Sequence, residues 1–343
     1  MKRVMRTWIA VGIAAAVSVI GAGAAFAAKK QADTGVIRVG TNKALGTVTP
    51  YVGRTQGIFA KRGVTVEIVD FNDGTTLMEA FASGQLDVAL LGIAPTAIWH
   101  GKGVPLKVVA SANGGGHVLL TRQDTGITDV KQLKGKKVAT PKPGTVTDTL
   151  FRVHIAGTVA GLDPSKDIQI VPSLAPADIP TALFVGREVD AAITWEPFAS
   201  QAEAKFKNAR VLFDAAAEWK KSNPKAAHFY PTNVVVARQS FIDQRNDELK
   251  RFLAAYVETI DFINKKPREA NEIIAREVKL DPATIANARK RVDYTAAVDV
   301  PAALQTLSWS KKLGYLKEIP AENRLFDLSY LPAQAAPKKK GRK

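Results

Sequence analysis

Side chains able to do covalent or metal chemistry are sparse in this chain of 343 residues and nowhere gathered into a set. There is no cysteine, which removes disulfides, thiol nucleophiles and cysteine-based zinc or iron–sulfur sites. His100, His117, His154 and His228 fall in unrelated contexts, with no H-E-x-x-H or His-x-His spacing to put two imidazoles on one metal. No serine stands in a G-x-S-x-G elbow. The Gly-Lys pairs at Gly101 and Gly135 are followed by Gly103 and Lys137, where a phosphate-binding loop needs Ser or Thr. With neither a nucleophile–base pair nor a metal set, the reading is a non-catalytic protein without a cofactor.

The chain does supply polar, mostly uncharged donors at helix starts. Two stretches about a hundred residues apart share one rhythm: MEAFASGQLDVALLGIAPTAI at 78–98 and PTALFVGREVDAAITWEPFAS at 180–200. In each, a helix stops at a glycine (Gly84, Gly186) suited to a left-handed helix end, and a short apolar strand follows. A new helix then begins at Ala94-Pro95 or Glu196-Pro197, with proline where a helix start tolerates it. Thr75 or Thr76 can cap another helix, and Thr145, with Asp148 in the first turn, a further one. Free backbone N–H groups and partial positive charge at such ends suit carboxylate, sulfonate, phosphate or nitrate.

Magnitudes limit the claim. Each end contributes roughly 0.3–1 kcal/mol when exposed and up to ~2 when partly buried, whereas a micromolar ligand needs about 8 kcal/mol. Aromatic packing and hydroxyl or amide donors must supply the rest. Trp195, Tyr51 and Tyr230 are candidates for the packing, and Thr41, Asn42, Thr96, Thr145 and Thr147 for hydrogen bonds. Trp195 stands out because it ends a strand, where open α/β sheets bind ligands. The competing reading is that threonine caps are only caps.

The elements that must position these residues alternate strand and helix from Val36 to Ala237. That alternation predicts α/β architecture with mostly parallel sheets. Asn113-Gly114-Gly115-Gly116 interrupts it, either as a flexible turn or as a crossing into a second lobe. Thr232–Ala237 reads as a strand returning to the first lobe. From Asp247 the pattern is helical, with Leu249, Leu253, Tyr256, Ile260 and Ile263 on one face, and Asp281-Pro282 and Val300-Pro301 opening later helices. The expected division is 36–113 with 232–331 as one lobe, and 114–231 as the other.

Of the formal charge of +16, the first 28 residues carry +3 and the tail from Pro337 carries +5, leaving +8 on the body. That favours small anions. Nucleic acid is not the expected partner, since the body's basic residues are interspersed with acids and form no basic-aromatic motif. Lys2, Arg3 and Arg6, the apolar run from Trp8 and the small residues Ala25 and Ala27 have the layout of a cleavable signal peptide over 1–27, with a retained anchor as the competing reading. Residues 332–343 read as a disordered basic tail.

The phrases QGIFAKRGVTVEIVDF, FASGQLDVALLGIAPTAI, ITDVKQLKGKKVATPKPGTVTDTL and GREVDAAITWEPFAS occur in this order. With them, Ile37 to about Ala237 resembles the periplasmic solute-binding proteins of ABC importers, in the nitrate/sulfonate/taurine/bicarbonate group that also includes binders of thiamine-pyrimidine precursors. The resemblance implies a two-lobed periplasmic-binding-protein type II fold, a ligand cleft between lobes and delivery to an ABC permease in the cytoplasmic membrane. It implies ligand contacts from Asn42, Thr75, Thr76, Ala94, Pro95, Thr96, Gly144, Thr145, Thr147, Trp195 and Glu196. The expected ligand is a small anion, an aliphatic sulfonate or taurine ahead of nitrate or bicarbonate, bound by a periplasmic monomer. The alternative is a binder of, or synthase for, a thiamine-pyrimidine precursor. Glu196 either caps its own helix or enters the cleft, where it would prefer a ligand carrying positive charge; Lys43, Arg54, His117 and Lys142 are the cations able to offset it.

Overall fold

A computed structural model describes residues 35–42, 44–72, 74–333 and 335, all within one compact unit. The signal-peptide segment, Lys43 and residues 336–343 lie outside the described residues.

Eleven strands form among the described residues: β1 Val36–Thr41, β2 Thr65–Asp70, β3 Val88–Gly92, β4 Leu106–Gly115, β5 His117–Arg122, β6 Lys137–Ala139, β7 Gln169–Val171, β8 Ala191–Trp195, β9 Ala209–Asp214, β10 Pro231–Arg238 and β11 Val292–Asp293. They make a six-stranded sheet of order β11-β4-β10-β3-β1-β2 and a five-stranded sheet of order β7-β6-β8-β5-β9. Both sheets are flanked by helices, as expected for an α/β chain. Both are mixed, however, rather than mostly parallel. The β1–β2, β1–β3, β6–β7 and β6–β8 pairs are parallel. β10 runs antiparallel to β3 and β4, and β5 antiparallel to β8 and β9. β11 likewise runs antiparallel to β4. β5 and β10 sit beside the passages between sheets, and their direction depends on where the chain enters, which local alternation does not encode.

Each sheet is covered on both faces because successive strand residues point to opposite sides. In the first, Val88, Leu90, Val235 and Ala237 belong to one buried cluster and Ala89, Leu91, Val234 and Val236 to the other. In the second, Leu119 and Ile193 face one way, and Val118, Leu120 and Ala192 the other. The helix Asn246–Lys265 lays Leu249, Leu253, Tyr256, Ile260 and Ile263 into the first cluster. Asp281 caps the helix Pro282–Ala288 by accepting from Thr284 N at 2.8 Å.

The glycine run is a crossing, not a surface turn: β4 ends at Gly115 in one sheet and β5 begins at His117 in the other. Gly115 has φ +73°, and a Cβ there would lie 2.4 Å from the Arg291 carbonyl oxygen, so two backbones approach where a side chain cannot fit. The return crossing enters β10 at Pro231.

Several local expectations shift. Gly84 takes a left-handed conformation (φ +92°), but near the second corner it is Arg187 (φ +53°), not Gly186, that does so. Pro197 precedes the helix Phe198–Lys205 as its N-cap. Thr75 and Thr76 lie inside the first turn of the helix Gly74–Ala82, both exposed, instead of capping it. The helix at Ala94-Pro95 begins one residue earlier, at Ile93. Ala335 N donates to Pro332 O at 2.8 Å, so the start of the supposed tail is ordered as a turn.

Leu253 is fully buried. Leu253→Ala should therefore lower unfolding free energy by about 2–5 kcal/mol in urea titrations.

Candidate ligand site

A cavity of about 90 Å³ opens where the two sheets meet. One water-sized group needs roughly 10–15 Å³, so the space suits a small solute. Asn42 follows β1, Leu91 and Gly92 end β3, and Asn113 and Gly115 end β4; all come from the carboxyl ends of first-sheet strands. Thr232 and Asn233 join them because β10 enters antiparallel. From the second sheet come His117 at the start of β5, Thr145 to Thr147, and Trp195 with Glu196 at the end of β8.

The best-formed donor end is the helix starting at Val146 and continuing through Leu150–Val159. Thr145 caps it, its hydroxyl accepting from Asp148 N at 3.2 Å and donating to Lys142 O at 3.0 Å. Val146 and Thr147 line the cavity, and the first N–H groups of a helix have no intrahelical partner. Thr147 is buried, at 2% exposure, with what surface it has turned to the cavity. Gly144 (φ +85°) allows the preceding turn but is not itself in the wall.

Other expected residues divide. Asn42 lines the cavity, its Oδ1 accepting from Thr47 Oγ1 (3.0 Å) and Ala44 N (3.3 Å). Pro95 lines it, but Ala94 is buried behind, and the Thr96 hydroxyl is spent on Gly92 O at 2.8 Å. Gly74 faces the cavity where Thr75 and Thr76 were expected. Thr41 donates to Thr47 Oγ1 at 2.9 Å and Tyr51 bonds Asp70; neither is in the wall. Arg54 faces Glu277 at 3.8 Å, and Lys142 is exposed, so neither reaches the cavity wall.

Trp195 is half-buried in the wall, and its indole Nε1 is a buried donor without a partner among the described residues. Next to it, Glu196 turns out to cap its own helix: its carboxylate accepts from Ser200 N and Ser200 Oγ, each at 3.0 Å. One of the free N–H groups of that helix end is thereby taken. Arg291, just before β11, donates to Glu196 Oε1 at 2.9 Å, Glu203 Oε2 at 2.6 Å and Asp214 Oδ2 at 2.7 Å. Burial pushes the Glu196 carboxyl up, and Arg291 and Ser200 pull it back only in part. Arg291 is held charged against the cost of its own burial by Glu203, Glu196 and Asp214.

Several wall residues were not expected as contacts. Asn233 Nδ2 donates to Asn113 Oδ1 at 2.7 Å across β10 and β4. A Cβ on Gly46 would lie 2.2 Å from that same oxygen, so the first loop closes over the amide pair only because residue 46 is glycine. His117 Nδ1 lies 2.7 Å from the Tyr230 hydroxyl. The available signals were Asn113 beside the glycine run and the polar Thr232-Asn233 opening an apolar strand. Burial holds the His117 imidazole down, to about 3. Among the described residues lining the cavity there is no Lys or Arg; His117 is neutral and Glu196 is offset. What remains is a set of N–H and O–H dipoles in a largely apolar lining that includes Leu91, Pro95, Val146, Val292 and the Trp195 indole, suited to an oxygen acceptor carried on an apolar group.

Residues 30–278 match the NMT1-like family. The chain belongs to that family. A Bacillus subtilis protein designated a candidate aliphatic sulfonates-binding protein is 27% identical over 293 residues, 84% of this chain and 83% of that one. The periplasmic nitrate-binding protein of Synechocystis PCC 6803 superposes with a TM-score of 0.75 at 18% identity, covering 89% and 92% of the two chains, which shows the shared fold. A 4-amino-5-hydroxymethyl-2-methylpyrimidine phosphate synthase of Uromyces fabae is 30% identical over 97 residues, 26% of this chain and 28% of that one. The Bacillus subtilis relative is described as a binding protein, which supports the non-enzyme reading at the level of the family. No helix among the described residues is long and apolar enough to cross a membrane.

Two outcomes test this electrostatic picture. Arg291→Met leaves Glu196 buried and unpaired and should cost about 3–5 kcal/mol by urea unfolding, with much of the loss recovered in Arg291→Met/Glu196→Gln. For His117, the folded imidazole stays neutral down to about 3, whereas the unfolded chain binds its proton near 6.5. Its contribution is therefore present above pH 6.5 and lost as pH falls, by about 1.4 kcal/mol per unit, until the folded group itself titrates. His117→Phe should flatten that part of the stability–pH curve.

Proposed function

We propose that this protein is the solute-binding component of an ABC import system and captures a small anion, an aliphatic sulfonate or taurine ahead of nitrate and bicarbonate. The observation that carries the reading is the cavity itself: donors from both sheets surround it, and Glu196, the one carboxylate among the described residues lining it, is already bonded to Arg291. Glu196 had been the argument for a cationic ligand, and its pairing removes that argument. Trp195 supplies an apolar face for the ligand's organic part, while Asn42, Thr147 and the helix start at Val146 supply donors to its oxygens, Thr145 serving as the cap that holds that helix start.

In this reading the chain works as two lobes, 36–113 with 232–331 and 114–231, closing about the crossings at Gly115-Gly116 and Pro231. It is secreted through a signal peptide over residues 1–27, acts as a periplasmic monomer and delivers its ligand to a permease in the cytoplasmic membrane. The thiamine-pyrimidine alternative keeps one supporting feature, the short match to the pyrimidine phosphate synthase.

Thermal unfolding against ethanesulfonate, taurine, nitrate, bicarbonate and a 4-aminopyrimidine separates these ligands. A true ligand at a hundredfold excess over its Kd should add about 2.7 kcal/mol of stability. A response to the pyrimidine alone would overturn the anion assignment. Trp195→Ala should weaken binding of the responding anion at least tenfold while leaving a cooperative unfolding transition; loss of folding would place Trp195 in the core instead.

A further inference from the structure

The His117–Tyr230 pair sits where both crossings meet, one residue after Gly116 and one before Pro231. The rings stack with centroids 5.7 Å apart and planes 20° from parallel, and both residues are buried, at 2% and 6% exposure. Nδ1 of His117 and the Tyr230 hydroxyl are 2.7 Å apart, and the hydroxyl's other neighbour, the His117 backbone N–H, can only donate to it, so among the described residues Nδ1 is its one possible acceptor. His117 lines the cavity and Tyr230 stands behind it.

We propose that Tyr230 fixes His117 as a neutral imidazole whose Nε2–H donates into the cavity, so that the ligand group meeting it is a hydrogen-bond acceptor, an oxyanion or carbonyl oxygen, and not an amine. This rests on reading the cavity as the ligand site. The argument is one of proton placement. A neutral imidazole has one N–H. If Nδ1 carried it, the phenol would have to accept, and its own buried proton would find no acceptor among the described residues. With the proton on Nε2, the phenol donates to Nδ1, and the N–H left over is the one with access to a ligand in the cavity. Leaving a buried donor unpaired is the costlier arrangement, so the second holds.

Nearby charges do not reverse this. On β8, Trp195 pairs with His117 and carries no charge, and Glu196 beyond it is bonded to Arg291. On β9, Asp214 pairs with Val118 and is likewise bonded to Arg291. Burial disfavours both imidazolium and phenolate, which keeps the pair neutral. The donor therefore adds no positive charge to the wall, and a monoanion such as a sulfonate or nitrate is matched better than a dianion, whose second charge would stay unpaired.

The tautomer can be read directly. In long-range ¹H–¹⁵N spectra of the ¹⁵N-histidine-labelled protein, the His117 ring should show the Nε2–H pattern, unchanged from pH 5 to 8. Tyr230→Phe should shift the Nδ1 resonance toward a free, unbonded nitrogen. Adding ethanesulfonate should move the Nε2–H proton downfield, and His117→Phe should weaken ethanesulfonate binding about tenfold or more by calorimetry. An Nδ1–H pattern, titration to imidazolium within that range, or unchanged affinity in His117→Phe would overturn the inference. If the wild type binds none of the anions, the proposed function fails and the ligand half of this inference with it, while the spectrum still decides the tautomer.

Discussion

Arg291 is the contact on which the arrangement of the two sheets rests. It reaches from the segment before β11 to three carboxylates carried by or adjoining second-sheet elements: Glu196 after β8, Glu203 in the following helix and Asp214 at the end of β9. A guanidinium can do this because its donors are spread in a rigid plane and its charge survives burial. Three carboxylates on one side chain would repel one another without it. The Arg291 carbonyl also packs against Gly115 at the first crossing, so the ion cluster and the crossing share one residue.

That cluster keeps the glutamate of the wall bonded to a cation and turned to its own helix, although one guanidinium serves three carboxylates. Glu196 spends its oxygens on Ser200 and Arg291, and its backbone groups are equally committed: its N–H donates to Gly116 O at 2.8 Å and its carbonyl accepts from Leu45 N at 3.4 Å. It therefore ties the first loop, the crossing and the second sheet together next to the cavity. Its neighbour Trp195 lines the cavity beside it. In the proposed reading, with His117 neutral as well, recognition is left to fixed dipoles, which need no counter-ion and lose none of their strength to proton exchange near neutral pH. Dipoles alone are individually weak, and several must converge on the same small volume; the carboxyl ends of β1, β3 and β4 and the start of the helix at Val146 do so.

Reading the chain by local rules went far where local rules govern. Thr145 and Asp281 cap helices as their types and spacing require. The apolar period from Leu249 to Ile263 marks a helix that is buried at those positions. The two strand–helix corners deliver Pro95 and Trp195 to one cavity. Local rules also misjudged two helix starts. Thr96 looked like a ligand donor, but its hydroxyl bonds one turn back to Gly92 O. Thr75 and Thr76 looked like caps, yet a start at Gly74 turned both outward.

The sequence by itself determined the α/β class, the places where strands end and helices begin, the lack of a catalytic set and the candidacy of Trp195, because capping, periodicity and turn chemistry act over a few residues. Only the tertiary structure decided that the sheets are mixed, that Glu196 is bonded to Arg291, and that Asn113, His117 and Asn233 belong to the wall. Glu196 and Arg291 are 95 residues apart, His117 and Tyr230 113, and Asn113 and Asn233 120. No spacing rule spans such distances, and each pair acquires its meaning only when two crossings bring both members to the same end of the sheets.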